Sequence, residues 1–173
     1  IASNFFSFAA LKEDGSIYTW GGGPRNNPSL SLQNTLAQGG FQSIVGNHSA
    51  YTAIHADGSA ISWGDPASGG DSSNVDFSPG IEKIQTVFYG FAALLRDGSV
   101  VSWGRQDLGG DSSRVSDEIS SGVVDISSTF TAFAALKSDG SVVTWGNPNL
   151  GGSSFLVTDQ ISSGVERVFS TGY

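Results

Sequence analysis

The sequence repeats itself four times, and that periodicity constrains the fold more than any other feature. Asp-Gly-Ser recurs at Asp14, Asp57, Asp97 and Asp139, and six residues after each Asp stands Trp-Gly, at Trp20, Trp63, Trp103 and Trp145. Successive Trp residues are 43, 40 and 42 positions apart. Ahead of each Asp-Gly comes an aromatic residue, two small ones and an aliphatic one: Phe8-Ala9-Ala10-Leu11, Tyr51-Thr52-Ala53-Ile54, Phe91-Ala92-Ala93-Leu94 and Phe133-Ala134-Ala135-Leu136. Thirteen residues before each Asp lies an isoleucine (Ile1, Ile44, Ile84, Ile126). From Gly40, Gly80 and Gly122 to the following Trp the distance is always 23, whereas from each Trp to the next such Gly it varies between 17 and 20. Shifting a paired strand by one residue turns its side chains to the other face, while surface loops absorb insertions. The constant stretch therefore reads as sheet and the variable stretch as loop.

The repeats fall at about 1–43, 44–83, 84–125 and 126–167, and 168–173 opens a fifth. The chain thus reads as one repeat domain, 1–173, cut from a continuing array. Within the last unit Val124-Asp125-Ile126-Ser127 alternates apolar with polar as a half-buried strand does. The stretch 133–136 makes a second strand, and 141–145, rich in β-branched residues, a third. Asp-Gly between apolar runs predicts a tight hairpin turn with positive φ at both residues. The turn column Asp14, Gly15, Asp57, Gly58, Asp97, Gly98, Asp139 and Gly140 is accordingly structural. An indole at one sheet position in every copy supplies a large apolar area where modules stack, so Trp20, Trp63, Trp103 and Trp145 are all expected in the core. After the Gly-Gly turns, Val115/Ile119 and Val157/Ile161 sit four apart, which suits one helical turn or a short irregular fourth element. Repeat one departs with Pro24-Arg25-Asn26-Asn27-Pro28 and a further segment, 29–38, the mark of a cap or a specialised surface. The expected fold class is all-β: a β-propeller-like array of four blades of about 42 residues, forming an arc or fragment of a larger propeller.

Charge and composition narrow the function. The formal net charge is -8, with 8 Lys+Arg against 16 Asp+Glu, a field that disfavours nucleic acid. No stretch approaches the roughly 20 apolar residues of a bilayer-crossing helix, so membrane insertion is not expected. The absence of Cys excludes disulfides and thiolate metal sites. Gly69-Gly70-Asp71, Gly109-Gly110-Asp111 and Gly151-Gly152-Ser153 resemble calcium-binding β-roll turns only superficially, because those recur every nine residues. Tight turns are the expectation here, with no metal and no cofactor. The imidazoles are His48 and His55, seven apart, and serine is too abundant for a triad drawn with either to be specific, so no catalytic residue is assigned and an enzyme is not expected.

The run from Gly46 to Gly64, which contains His48-Ser49, Ala53-Ile54, Asp57-Gly58 and Trp63-Gly64, resembles the signature of the regulator of chromosome condensation repeat family. Gly69-Gly70, Gly109-Gly110 and Gly151-Gly152 stand where that family has its Gly-rich turn, and the resemblance covers nearly the whole chain. The family histidine is kept only at His48, with Phe5, Phe88 and Phe130 in the other copies, and the repeats are short. The resemblance implies a propeller that acts as an interaction platform. A non-catalytic protein-interaction or scaffold module is the expected function, with a structural spacer or accessory subunit of a large surface protein or assembly as the alternative. Guanine-nucleotide exchange and ubiquitin-ligase-associated roles rank below both, since no wedge-like insertion and few basic residues are present. The expected partner is another protein, alongside further repeats or other subunits that complete the propeller, in a secreted, surface or large-assembly setting. The segments that change between copies, 24–38, 65–68, 105–108 and 147–150, are the expected binding loops, with Arg25, Asn26, Asn27, Asp65, Arg105, Gln106, Asp107, Asn147 and Asn149 as their recognition residues.

Overall fold

A computed structural model describes residues 1–171 and all of their side chains except those of Pro24 and Arg25. Each repeat supplies one antiparallel three-stranded sheet, here called a blade, with its strands in sequence order. Blade 1 is β1 (Ala2–Ser3), β2 (Ser7–Leu11) and β3 (Ile17–Gly21); blade 2 is β4 (Phe41–Gly46), β5 (Ala50–His55) and β6 (Ala60–Gly64). Blade 3 is β7 (Ile81–Val87), β8 (Gly90–Leu95) and β9 (Val100–Gly104); blade 4 is β10 (Val123–Ser128), β11 (Ala132–Lys137) and β12 (Val142–Gly146). The first strands of successive blades lie beside one another, so the blades stand side by side rather than end to end.

Between blades 1 and 2 the long first loop folds into α1 (Gly23–Asn26) and α2 (Leu30–Ala37), the latter capped by Ser29, whose side chain accepts from the Leu32 N–H. Leu36 of α2 is buried in a cluster with Tyr51 and Trp63. The fourth elements expected after the Gly-rich turns are short 3-10 turns, Ser113–Val115, Phe155–Val157 and Asp159–Ile161.

The hairpin turn differs from its sequence reading. Gly15, Gly58, Gly98 and Gly140 have positive φ, but no Asp does. The Gly58 N–H donates to the His55 carbonyl while the His55 N–H donates to the Ser59 carbonyl, which makes a three-residue loop that ends in a left-handed glycine. The Asp instead uses its carboxylate: Oδ1 accepts from the Ser backbone N–H two residues on (2.9–3.0 Å) and from its hydroxyl (2.6–2.7 Å), in all four copies. That explains why Ser follows Asp-Gly every time. The glycine is fixed by a second demand, because a Cβ at Gly58 would lie 2.7 Å from the Gly80 Cα of the next blade. Its carbonyl accepts from the Ile81 N–H (3.0 Å), and Gly15, Gly98 and Gly140 do the same for Phe41, Val123 and Val165.

The first strand also departs from simple alternation. In β10 the register shifts between Val123 and Asp125, so Val123 and Ile126 are both buried while Val124 is exposed. A bulge places two residues opposite one and breaks the period of two; the same irregularity recurs in β4 and β7.

The aromatic and Trp columns prove to be one feature. Phe8↔Trp20, Tyr51↔Trp63, Phe91↔Trp103 and Phe133↔Trp145 are directly opposed cross-strand pairs. Each is stacked, with centroids 5.2–5.5 Å apart, a geometry that adds about 0.5–1.5 kcal/mol to area burial. In blades 2 to 4 both members are no more than 5% exposed. Trp20 corrects the expectation of four core indoles, since it and Phe8 are both 49% exposed. The pair packs against the preceding blade, and the described residues place no blade in front of the first.

Candidate functional site

In each blade the turn between the first two strands and the loop that leaves the third strand lie at one end of the sheet, and the Asp-Gly hairpins lie at the other. Backbone bonds tie the two loop types together: the Asp65 N–H donates to the Ser49 carbonyl, Arg105 to Tyr89 and Asn147 to Thr131 (2.8–3.0 Å). Asn47 adds a side-chain tie, its Nδ2–H donating to the Ser68 carbonyl (2.6 Å) while its Oδ1 accepts from the Ser49 and Ala50 N–H groups. The variable loops are thus held on a rigid frame and face the same way.

At this end runs a ladder across all four blades. The Phe5 N–H donates to the His48 carbonyl, His48 to Phe88 and Phe88 to Phe130 (2.8–3.2 Å). Their rings follow the backbone: Phe5–His48 4.8 Å, His48–Phe88 4.1 Å and Phe88–Phe130 4.3 Å between centroids. The position where the resemblance placed one conserved-type histidine is therefore an aromatic column. Phe6 and Tyr89 flank it edge-on to His48. Phe5, Phe6 and Phe130 are exposed, and apolar surface gathered in one place at a loop end marks interaction surfaces.

Beside the column opens a groove of about 840 Å³ lined by Phe6, Gly22, Asn26, His48, Ser49, Asp65, Ala67, Ser68, Tyr89 and Arg105. It joins three of the residues singled out in the sequence, Asn26, Asp65 and Arg105, from the loops of blades 1, 2 and 3. Arg105 lies over the Tyr89 ring, 5.6 Å from its centroid, and its Nε–H donates to Asp107 Oδ1 (2.9 Å). That bond holds the Asp107 carboxyl below its usual range and raises the guanidinium further. Asp65 Oδ2 accepts from the Ser68 hydroxyl (2.6 Å). Gln106 and Asp107 line a second hollow of about 570 Å³ shared with Asp111, Arg114 and Pro148. Asn147 lines neither: its Oδ1 accepts from the Asn149 N–H and shapes its own turn. Asn27 lines neither hollow, and the Arg25 side chain lies outside the described residues.

Sequence reasoning missed Phe6, Tyr89 and the column. The signal was present in Phe5, Phe88 and Phe130, aromatic residues that fall outside the strand alternation and so are not needed for the sheet core. Among the described residues no group of three or more His, Asp or Glu is gathered closely enough to hold a metal ion, and no described helix is long and apolar enough to cross a membrane.

Four side-by-side antiparallel sheets joined in sequence order define a β-propeller arc, and solved structures agree. The chain is similar to Prp20p from Saccharomyces cerevisiae (16% identity over 84% of this chain and 44% of that one, TM-score 0.57). It is also similar to the ectodomain of the receptor kinase CR4 from Physcomitrella patens (15% identity, 99% and 44%, TM-score 0.59) and to human WBSCR16 (20% identity, 98% and 54%, TM-score 0.59). The chain spans about half the length of the solved structures it matches. No family model matches the sequence, and no curated protein does.

Proposed function

We propose that the chain is a non-catalytic protein-interaction module built from repeats like those of the regulator of chromosome condensation family, and that it engages another protein through the groove at its loop end. One observation carries this reading: loops from three successive blades, different in sequence, converge with the exposed Phe6 and the half-buried His48 and Tyr89 on a single groove of about 840 Å³. Aromatic and Arg side chains on a rigid frame are the groups that dominate protein interfaces, and here Tyr89 and Arg105 supply both in contact. Two solved structures of one similar protein support a protein partner. Prp20p was described with its binding to Gsp1p and histones, and the same yeast protein in a complex with Kap60.

The test is site-directed photo-crosslinking with a probe at Ala67, inside the groove, and a control probe at Asp139 on the opposite hairpin. The reading expects one protein adduct specific to position 67, lost in Tyr89→Ala and Arg105→Ala variants of unchanged thermal stability. Adducts equal at both positions, or unaffected by those substitutions, contradict it and favour a spacer role.

A further inference from the structure

Glycine has no side chain to shield its amide nitrogen, so Asp-Gly is the dipeptide most open to a spontaneous backbone rearrangement. The chain carries it at four exposed hairpin aspartates, Asp14, Asp57, Asp97 and Asp139. In the reaction the glycine nitrogen attacks the protonated side-chain carboxyl of the Asp before it. The carboxyl hydroxyl leaves as water with the nitrogen's proton, and a five-membered succinimide ring closes. Water then reopens the ring at one of its two carbonyls. Opening at the backbone carbonyl leaves the main chain running through the side-chain methylene, an isoaspartate. One water is released and one is consumed, and nothing is oxidised or reduced.

Both reacting groups are engaged elsewhere in the fold. The N–H of Gly15, Gly58, Gly98 and Gly140 donates to the carbonyl three residues back (2.9–3.0 Å). The carboxylate Oδ1 accepts from the hydroxyl and the backbone N–H of the Ser two residues on, in every copy. To reach the glycine nitrogen the carboxyl must leave both donors and take up a proton, and those same bonds keep all four carboxyls below their usual range. Asp14 has a further donor, the Lys12 Nζ at 3.2 Å. Asp57, Asp97 and Asp139 have Ser as their one side-chain donor among the described residues.

We propose that Asp57, Asp97 and Asp139 are sites of isoaspartate formation, each gated by the serine two residues on, and that Asp14, held by Lys12 as well, is the slowest of the four. The product has a defined structural consequence. The Gly58 carbonyl accepts from the Ile81 N–H of the next blade, and Gly98 and Gly140 do the same for Val123 and Val165. The contact leaves no slack, since even a Cβ on Gly58 would lie 2.7 Å from the Gly80 Cα. One extra backbone carbon between Asp57 and Gly58 displaces that carbonyl and releases the first strand of blade 3 from the hairpin of blade 2. This inference concerns the hairpin end and is independent of the groove at the loop end.

The experiment ages the folded chain at neutral pH, below its melting temperature, beside short synthetic peptides of the four hairpin sequences. Isoaspartate at each site is counted by peptide mapping with electron-transfer mass spectrometry. The folded sites are expected to convert at least about tenfold more slowly than their peptides, because two bonds to a charged group must be broken first. Ser59→Ala removes one of them and should speed conversion at Asp57 about tenfold, while Asp97 and Asp139 of the same molecule keep their rates and report that the fold is intact. Lys12→Ala, an exposed change in a different blade, should bring Asp14 up to the rate of the other three. In aged samples the Ile81 amide should exchange faster in the fraction converted at Asp57. Folded sites as fast as their peptides, an Asp57 rate unmoved by Ser59→Ala, or a rise at all four sites together would each overturn the proposal.

Discussion

The junction between blades 1 and 2 and the junctions between blades 2, 3 and 4 bury the same aromatic pair by different means. At the later junctions the Trp N–H finds the carbonyl of a left-handed glycine six residues after the preceding Trp. At the first junction that position is Asn26, the last residue of α1, and its carbonyl takes no bond from the incoming Trp63. Trp63 is buried with no hydrogen-bond partner for Nε1 among the described residues, and the Oδ1 atoms of Asn26 and Asn27 are likewise unpartnered. The compensation sits on the other ring of the pair. Where blades 3 and 4 have Phe, blade 2 has Tyr51, whose hydroxyl donates to the Ser7 carbonyl (2.6 Å) and accepts from the Asn4 N–H (2.9 Å), both in blade 1. Burial raises the Tyr51 pKa, so the hydroxyl remains a donor at neutral pH. Apolar contact of the pair is thus the constant of every joint, and the polar ties are made by whichever ring has a partner.

The comparison is broken most sharply by deleting an indole. Trp103→Ala is expected to lose about 3–5 kcal/mol in chemical denaturation, as large-to-small core substitutions do. Trp20→Ala, at a half-exposed copy of the same position, should lose less than about 1 kcal/mol. Equal losses would mean that the joint is not what holds Trp103. Next comes Tyr51→Phe, which removes the hydroxyl's two bonds and leaves the Asn4 N–H and the Ser7 carbonyl bonded to each other (3.1 Å); the loss of two hydrogen bonds should cost about 1–3 kcal/mol. If it is neutral, the hydroxyl does not replace the missing indole bond. A smaller effect separates the indoles themselves. Trp103→Phe loses a hydrogen bond that Trp63→Phe does not have to lose, so it should be the more damaging by about 0.5–1.5 kcal/mol.

The smallest effect is on the hairpins, which all four blades share. The Ser16 hydroxyl and then its backbone N–H hold the Asp14 carboxyl down to about 2, and the serines do the same in direction for Asp57, Asp97 and Asp139. A carboxyl depressed in the native state stabilises it above the ordinary value of 3.8, and that contribution is lost as pH falls toward the native value. Melting temperature should therefore decline between about pH 4 and pH 2, with a shallower slope when Asp97 and Asp139 are both changed to Asn. An unchanged slope would show that these bonds do not form in solution.

Four blades, three strands in each and the hairpin positions were legible in the sequence, because a period that survives four copies leaves strand pairing little freedom. Three details were not. A bulge in the first strand cannot be told from alternation in a stretch as short as Val123-Val124-Asp125-Ile126, since both put apolar residues near the core. The Asp-Gly turn offered two hairpin geometries, and only the coordinates show that Asp keeps negative φ and spends its carboxylate on Ser. The partnership of the Phe and Trp columns was hidden because it needs the register, which fixes Phe133 opposite Trp145 across a turn. At the loop end, Asn26, Asp65 and Arg105 were legible as variable positions. Tyr89 was not, since a residue next to a strand's end announces nothing about the groove it borders.

Hydrogen exchange of the four indole N–H groups, followed by NMR on a dilute sample, tests the blade-to-blade joint most directly. Trp103 and Trp145, bonded to the Gly69 and Gly109 carbonyls, should exchange only through unfolding, while Trp20 exchanges within the dead time. Exchange of Trp103 or Trp145 as fast as that of Trp20 would contradict the joint, and with it the seating of each blade on the one before.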